Sequence, residues 1–112
     1  MRWIDVGGEA DQAPGTARSV IVSGAAVALF RTADGWVALE DRCPHAGAPL
    51  SAGLLREGAV VCAWHGWRFD AGSGACLSVP GGPAVRRFDV RVEGGRVLVG
   101  DGDAAHGDAP DF

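Results

Sequence analysis

Two short cysteine–histidine motifs constrain this chain more than any other feature of its sequence. The first places Cys43 and His45 one residue apart, and the second places Cys62 and His65 two residues apart. Sixteen residues separate His45 from Cys62. Each motif offers one thiolate and one imidazole, donors that suit transition metals. The sequence therefore predicts a metal site made of these four side chains.

Two Cys and two His also satisfy a tetrahedral zinc ion, so the spacing alone leaves the metal open. The flanking residues favour one reading: Gly, Pro and Leu follow the first motif, and the second continues as His65-Gly66-Trp67-Arg68-Phe69. This double motif resembles the Rieske [2Fe-2S] family, and the resemblance extends over roughly residues 2 to 100.

The resemblance implies the ligand assignment and the cofactor. Cys43 and Cys62 would bind the inner iron of one [2Fe-2S] cluster, and His45 and His65 would bind the outer iron. The alternative from the residues themselves is a structural zinc module.

The pattern of the chain predicts an all-β fold. Short β-prone runs alternate with turn signals, and glycine is abundant at 18 residues. The predicted strands are residues 3–6, 19–23, 26–31, 36–40, 59–62, 67–70, 75–78, 85–92 and 96–99. Gly24-Ala25 is predicted to form the turn between the second and third strands, and Phe88, Val90 and Val92 are predicted to share the buried face of the strand at 85–92. No helix is predicted.

The family resemblance implies an antiparallel β-sandwich or barrel base with a small inserted cluster-binding subdomain. We expect a single domain over residues 1–100, with the subdomain at about 41–79 and a flexible tail at 101–112. Residues 80–84, Pro-Gly-Gly-Pro-Ala, resemble the loop that covers the cluster in relatives; a plain turn between subdomains is an equal reading. We also expect Gly47 and Gly66 to donate N–H groups to sulfur.

Residues around the motifs predict a potential at the low end of the Rieske range. High-potential respiratory members carry an extra Cys in each loop, where this chain has Ala48 and Trp64, and a Ser where it has Trp67. The chain also contains no Tyr. Fewer hydroxyl donors to the cluster stabilise its more negative reduced form less.

Composition excludes several function classes. The net charge is −4, with ten arginines and no lysine, so we expect neither nucleic-acid nor membrane binding. Three cysteines, two of them in the motifs, do not form a disulfide framework, and Cys76 is expected to be a buried thiol. Without an apolar run of about eighteen residues or a signal-peptide start, a cytoplasmic location is expected. His106 is expected to be solvated.

These features predict an electron-transfer component that is not a catalyst by itself. The first hypothesis is a soluble ferredoxin, monomeric when free, that carries single electrons from a flavin- or NAD(P)H-dependent reductase to a terminal oxygenase such as a ring-hydroxylating dioxygenase. The second is a small Rieske-like subunit of an NAD(P)H nitrite reductase. An oxygenase catalytic subunit is set aside, because only His106 remains for its mononuclear iron.

Overall fold

Ten β-strands make up most of the regular structure in the computed structural model, which describes residues 2–33, 35–44, 47–64 and 66–102. In chain order they are β1 (Trp3–Gly8), β2 (Ala17–Val22), β3 (Ala25–Arg31), β4 (Trp36–Glu40), β5 (Leu54–Arg56), β6 (Ala59–Val61), β7 (Arg68–Asp70), β8 (Arg87–Phe88), β9 (Val90–Glu93) and β10 (Arg96–Gly100). Helical structure in these ranges is limited to two single-turn 3₁₀ segments, Glu9–Asp11 and Leu50–Ala52. The predicted all-β class is confirmed.

The strands form three antiparallel sheets. A terminal sheet has the order β1-β10-β9, a central sheet has the order β2-β3-β4-β8, and a third sheet has the order β5-β6-β7. The terminal and central sheets contain both ends of the described chain. The third sheet comes entirely from the residues between β4 and β8. We call these residues the inserted segment, and we call the terminal and central sheets together the base.

Strand β3 shows why the central sheet lies in the middle of the molecule. Successive side chains of a strand point to opposite faces of the sheet. Val27 and Leu29 face a core shared with the terminal sheet, whereas Ala28 and Phe30 face a core shared with the inserted segment. All four are at most 1% exposed. The result is a three-layer arrangement with one apolar core on each side of the central sheet.

Two tight turns close the outer hairpins. The turn between β2 and β3 is Ser23-Gly24, with φ of 48° and 85°, and not Gly24-Ala25 as predicted. The turn between β9 and β10 is Gly94-Gly95, with φ of 56° and 79°. Two successive positive φ values match the twist of the flanking strands, which is why hairpins favour such turns. The sequence does not predict the position of the first turn, because serine rarely adopts the positive φ that Ser23 has here.

The long strand predicted at residues 85–92 is wrong as a single element. The chain leaves the central sheet after Phe88 and enters the terminal sheet at Val90. Between them, the Asp89 carbonyl accepts a hydrogen bond from the Gly100 amide at 2.9 Å. Phe88, Val90 and Val92 still share one core, as the alternation predicted, because both sheets face that core.

The inserted sheet differs from the prediction in two places. Strand β5 was not predicted, and it is the edge strand that pairs with β6. Residues 75–78 do not form a full strand; they pair with β7 through a Phe69–Cys76 bridge and two flanking hydrogen bonds.

The base of the fold extends into the predicted tail. The Asp101 amide donates to the Arg2 carbonyl at 2.9 Å, and its carboxylate accepts from the Arg2 amide at 2.7 Å and the Ser23 hydroxyl at 3.0 Å. Asp101 therefore joins the first described residues to the β2–β3 turn. Residues 103–112, with His106, lie outside the described residues.

Candidate metal centre

Two loops of the inserted segment carry the predicted ligands. Cys43 lies in the loop that follows β4, and Cys62 comes directly after β6. Both cysteines belong to the same apolar core, beneath the central sheet, with exposures of 0% and 1%. The fold therefore brings the two sulfur donors of the prediction to one region.

The two loops have the same backbone hydrogen bonds. In the first, the Cys43 amide donates to the Ala48 carbonyl at 2.7 Å, and the Gly47 amide donates to the Cys43 carbonyl at 2.7 Å. In the second, the Cys62 amide donates to the Trp67 carbonyl at 2.7 Å, and the Gly66 amide donates to the Cys62 carbonyl at 3.0 Å. Each loop thus closes the same six-residue turn on its cysteine, although the histidine is one position later in the second.

Gly47 and Gly66 are required by this turn for their backbone conformation. Both have φ of 73°, which side-chain-bearing residues adopt at a cost. A Cβ on Gly66 would meet nothing within 4 Å, so steric room is not the reason for the glycine. The prediction that their N–H groups donate to sulfur is wrong in this structure, where both donate to a cysteine carbonyl.

The first loop is fixed to the central sheet by a carboxylate. Asp41, the residue after β4, accepts from the Ser51 amide at 2.7 Å and from the Ser51 hydroxyl at 2.8 Å. The loop from Arg42 to Leu50 is therefore closed at both ends. Sequence analysis missed this contact, because Asp41 and Ser51 are ten residues apart and match no short capping motif.

Two further glycines allow close packing of the inserted segment. A Cβ at Gly53 would collide with the carbonyl oxygen of Val61, the residue before Cys62. A Cβ at Gly74 would collide with the Val85 carbonyl, where the segment returns to the base. Gly53 therefore lies directly against the strand that leads to Cys62, and Gly74 lies directly against the return to the base, contacts that no sequence motif indicates.

The remaining residues of the region have mostly structural roles. Trp67 packs against the core that contains both cysteines. Trp64 is different, since 63% of its surface is exposed. Cys76 is a half-buried thiol that packs against the same core. Pro80, Gly81 and Pro83 are exposed.

The thiols fit the sulfur half of an iron–sulfur site. None of the three cysteines forms a disulfide bond in this structure. Burial in an apolar core removes Cys43 and Cys62 from water, which suits ligands of a cluster kept at low dielectric. His45 and His65 lie outside the described residues, so the complete ligand set stays a prediction. Within the described ranges, no three His, Cys, Asp or Glu side chains are grouped closely enough to hold a metal ion.

One surface cleft lies apart from the two cysteines. Its volume is about 140 Å³, and Trp36, Arg87 and Phe88 of the base are among its lining residues. The burial of the thiols, and not this cleft, identifies the candidate centre.

Comparison with known proteins places the chain in a family. The Rieske [2Fe-2S] domain family matches residues 2–89. Ferredoxin CarAc of Metapseudomonas resinovorans is 38% identical over 98 residues, covering 87% of this chain and 92% of its own length. The ferredoxin of carbazole 1,9a-dioxygenase from Nocardioides aromaticivorans IC177 superposes with a TM-score of 0.82 at 32% identity, covering 88% of this chain and 97% of that chain.

Other relatives are longer proteins. An iron–sulfur subunit of a toluene-4-sulfonate monooxygenase system from Comamonas testosteroni is 45% identical over 93 residues, which cover 77% of this chain but only 27% of that protein. The next two curated relatives are covered over 8% and 14% of their lengths. This chain thus spans about a quarter or less of several proteins it matches. No helix in the described ranges has the length and apolar character needed to cross a membrane.

Proposed function

The chain belongs to the Rieske [2Fe-2S] family, and from that premise we propose that it is a soluble, cytoplasmic ferredoxin. It receives single electrons from a flavin- or NAD(P)H-dependent reductase and delivers them to a terminal oxygenase. A bound [2Fe-2S] cluster supplies reversible one-electron chemistry. The protein makes and breaks no substrate bond, so it is a component of an oxidoreductase system.

The proposed ligands are Cys43 and Cys62 on the inner iron and His45 and His65 on the outer iron. The matched hydrogen bonds of the two loops support the sulfur half of this assignment, because they hold both cysteines in the same backbone geometry. The buried side chains of Ala48, Leu50 and Phe69 belong to the same core as both cysteines. These side chains exclude water from the side of the centre where the two thiolates lie.

The likeness to ferredoxins is the observation that supports a carrier. The chain matches 92% of ferredoxin CarAc and 97% of the Nocardioides ferredoxin chain. A similar ferredoxin, 37% identical over 87% of this chain, is seen in complex with the oxygenase of carbazole 1,9a-dioxygenase. These likenesses support an oxygenase as the acceptor.

A second candidate is the small subunit of a nitrite reductase. A structure named as such a subunit of an NADH-dependent enzyme from Mycobacterium tuberculosis has a TM-score of 0.80 at 30% identity and is covered over 93% of its length. In that case the chain would stay attached to its enzyme. The alternative of a structural zinc module loses its support, because the family match is to a cluster-binding domain.

The test is a reductase-coupled assay with the purified holoprotein. A ferredoxin reductase and NADH should reduce cytochrome c much faster when this protein is added, and the rate should rise in proportion to its concentration. No stimulation would contradict a carrier. Size-exclusion chromatography of the protein from its native cells separates the two candidates: a free carrier elutes alone, and a fixed subunit elutes with a large partner.

A further inference from the structure

One face of the inserted sheet carries two large apolar side chains that are exposed, Leu54 and Leu77. Leu54 is paired with Val61, and Val61 with Arg68, across β5, β6 and β7. The Leu77 amide donates to the Arg68 carbonyl at 2.8 Å beside the Phe69–Cys76 bridge, so Leu77 lies opposite Arg68. Residues opposite each other in an antiparallel pair share a face. Leu54, Val61, Arg68 and Leu77 therefore form one continuous row, which we call the outer row.

The outer row points away from the core. The alternate positions on the same strands, Leu55, Val60, Phe69 and Cys76, pack into the core that contains the two motif cysteines. In contrast, Leu54 is 60% exposed and Leu77 is 52% exposed. Leu54 and Leu77 lie at the two ends of the row, with half-buried Val61 and exposed Arg68 between them. The row therefore offers a partner two apolar contacts, one on either side of a single cation.

The outer row adjoins the second ligand loop. Val61 directly precedes Cys62, and Arg68 directly follows Trp67, whose carbonyl is bonded to the Cys62 amide. Trp64, in the same loop, exposes 63% of its surface. A partner that covers the row would be in contact with the elements that begin and end this loop, so it would lie beside the metal centre.

The inserted segment lacks the negative charge of the rest of the molecule. Residues 41–79 contain three arginines and three acidic residues, a net charge of zero, while the whole chain carries −4. The remaining residues therefore carry all of the net charge of −4. Two of the three carboxylates, Asp41 and Asp70, accept hydrogen bonds from Ser51 and Ser73. Arg68 is the one charged residue of the outer row, and Arg56 and Asp70 lie in the next row of the same face.

We propose that the outer row is the docking surface for the electron acceptor, and that the acceptor presents an apolar patch with an acidic side chain opposite Arg68. The proposal rests on the proposed function and adds the chemistry of the partner. The negative net charge would suggest a basic partner, but complementarity at the contact itself decides register and association rate.

Electron transfer to two redox proteins of opposite charge tests the proposal. The reduced holoprotein is mixed with plastocyanin, an acidic acceptor, or with cytochrome c, a basic one, and second-order rates are followed against ionic strength. With plastocyanin, Arg68→Glu and Leu77→Ser should each slow transfer by roughly three- to tenfold at low salt, and added salt should slow the parent protein. With cytochrome c, Arg68→Glu should not slow transfer.

The controls keep the outcome interpretable. Ile21→Ser removes a side chain that is 64% exposed on β2 of the base, a close match to Leu54 and Leu77, and should leave both rates unchanged. Arg68→Gln should have an intermediate effect. Each variant must retain the iron content and midpoint potential of the parent.

The outcomes separate this inference from the function on which it rests. Equal rates for the outer-row variants and the parent, or equal slowing by Ile21→Ser, would overturn the docking surface while transfer itself persists. Failure of the parent to reduce either acceptor would instead overturn the carrier function.

Discussion

At the scale of single residues, the ligand loops depend on backbone conformation more than on side-chain packing. Gly47 and Gly66 share a φ of 73° and the same hydrogen bond to a cysteine carbonyl four residues earlier. The apolar side chains of Ala48 and Trp67 follow these glycines. The loops are therefore shaped by two left-handed residues and offer the centre few hydroxyl groups.

Replacing Gly66 should test the conformational requirement. Gly66→Ala places a side chain at φ of 73° where no atom lies within 4 Å, so the expected cost is pure backbone strain of about 1–2 kcal/mol. This should lower the thermal midpoint of the holoprotein by roughly 4–8 °C per kcal/mol. Gly35→Ala is the matched control, because Gly35 also has open space but no positive φ. Equal midpoints for the two variants would contradict the requirement.

The scarcity of hydroxyl groups predicts the redox potential. Rieske potentials run from roughly −150 to +300 mV, and hydrogen bonds to the cluster sulfurs raise them. Because Ala48, Trp64 and Trp67 bring no hydroxyl to the loops, the midpoint potential should lie below zero. Voltammetry of the holoprotein at neutral pH measures it, and a clearly positive value would show that other donors dominate.

At the scale of elements, part of the base is held together by contacts that lie away from the cysteines. Buried Gln12 joins the first 3₁₀ segment to the central sheet: its amide donates to the Leu29 carbonyl at 2.9 Å and the Thr16 carbonyl at 3.0 Å, and its oxygen accepts from Arg18 at 2.9 Å. Leu29 faces the core of the terminal sheet, on the other side of β3 from the cysteines.

Gln12→Leu should therefore weaken the fold without altering the metal centre. Unpaired buried carbonyls cost about 1–3 kcal/mol, so the thermal midpoint should fall. Iron content and midpoint potential should stay at the parent values. A shifted potential would mean that the base controls the geometry of the ligand loops.

Sequence patterns were informative where they were local. The run at β4 indicated a strand correctly, and the alternation of Phe88, Val90 and Val92 indicated their shared core correctly, although two strands and not one carry these residues. Strand β5 is not predicted from the sequence, because its three residues lie between Gly53 and the Glu57-Gly58 turn and form too short a run to show alternation. The strand break at Asp89 depends on a contact with Gly100, and such long-range pairing has no local signature.

The candidate site also has a part that the sequence predicts and a part that it does not. The two short motifs that contain Cys43 and Cys62 predict a shared metal centre, because a metal site needs several such donors close together. The Asp41–Ser51 contact and the close approach of Gly53 to Val61 follow from how the inserted sheet packs on the base. They become visible only in three dimensions.

At the scale of the whole molecule, Asp101 ties the ends of the described chain together. The hydrogen bond that the Asp101 carboxylate accepts from the Arg2 amide lowers the pKa of this carboxyl below its ordinary value of 3.8, and the hydrogen bond from the Ser23 hydroxyl lowers it further. A carboxyl with a lowered folded pKa stabilises the fold above its unfolded pKa, and this contribution is lost as the pH falls through the folded value.

Asp101→Asn should remove that acid-sensitive contribution. The parent should be more stable than the variant at pH 6, and the difference between their thermal midpoints should shrink as the pH falls below about 4. Thermal unfolding followed by circular dichroism at matched pH values measures it. A constant difference across this range would show that the charge of Asp101 does not contribute.

The ligand chemistry of the whole protein is the central claim, and paramagnetic resonance of the reduced holoprotein tests it most directly. Two thiolates and two imidazoles on a [2Fe-2S] cluster should give a signal whose average g-value is lower than that of an all-cysteine cluster, with about one spin per chain. A colourless protein with one zinc and no signal, or a spectrum of the all-cysteine type, would contradict the assignment of Cys43, His45, Cys62 and His65.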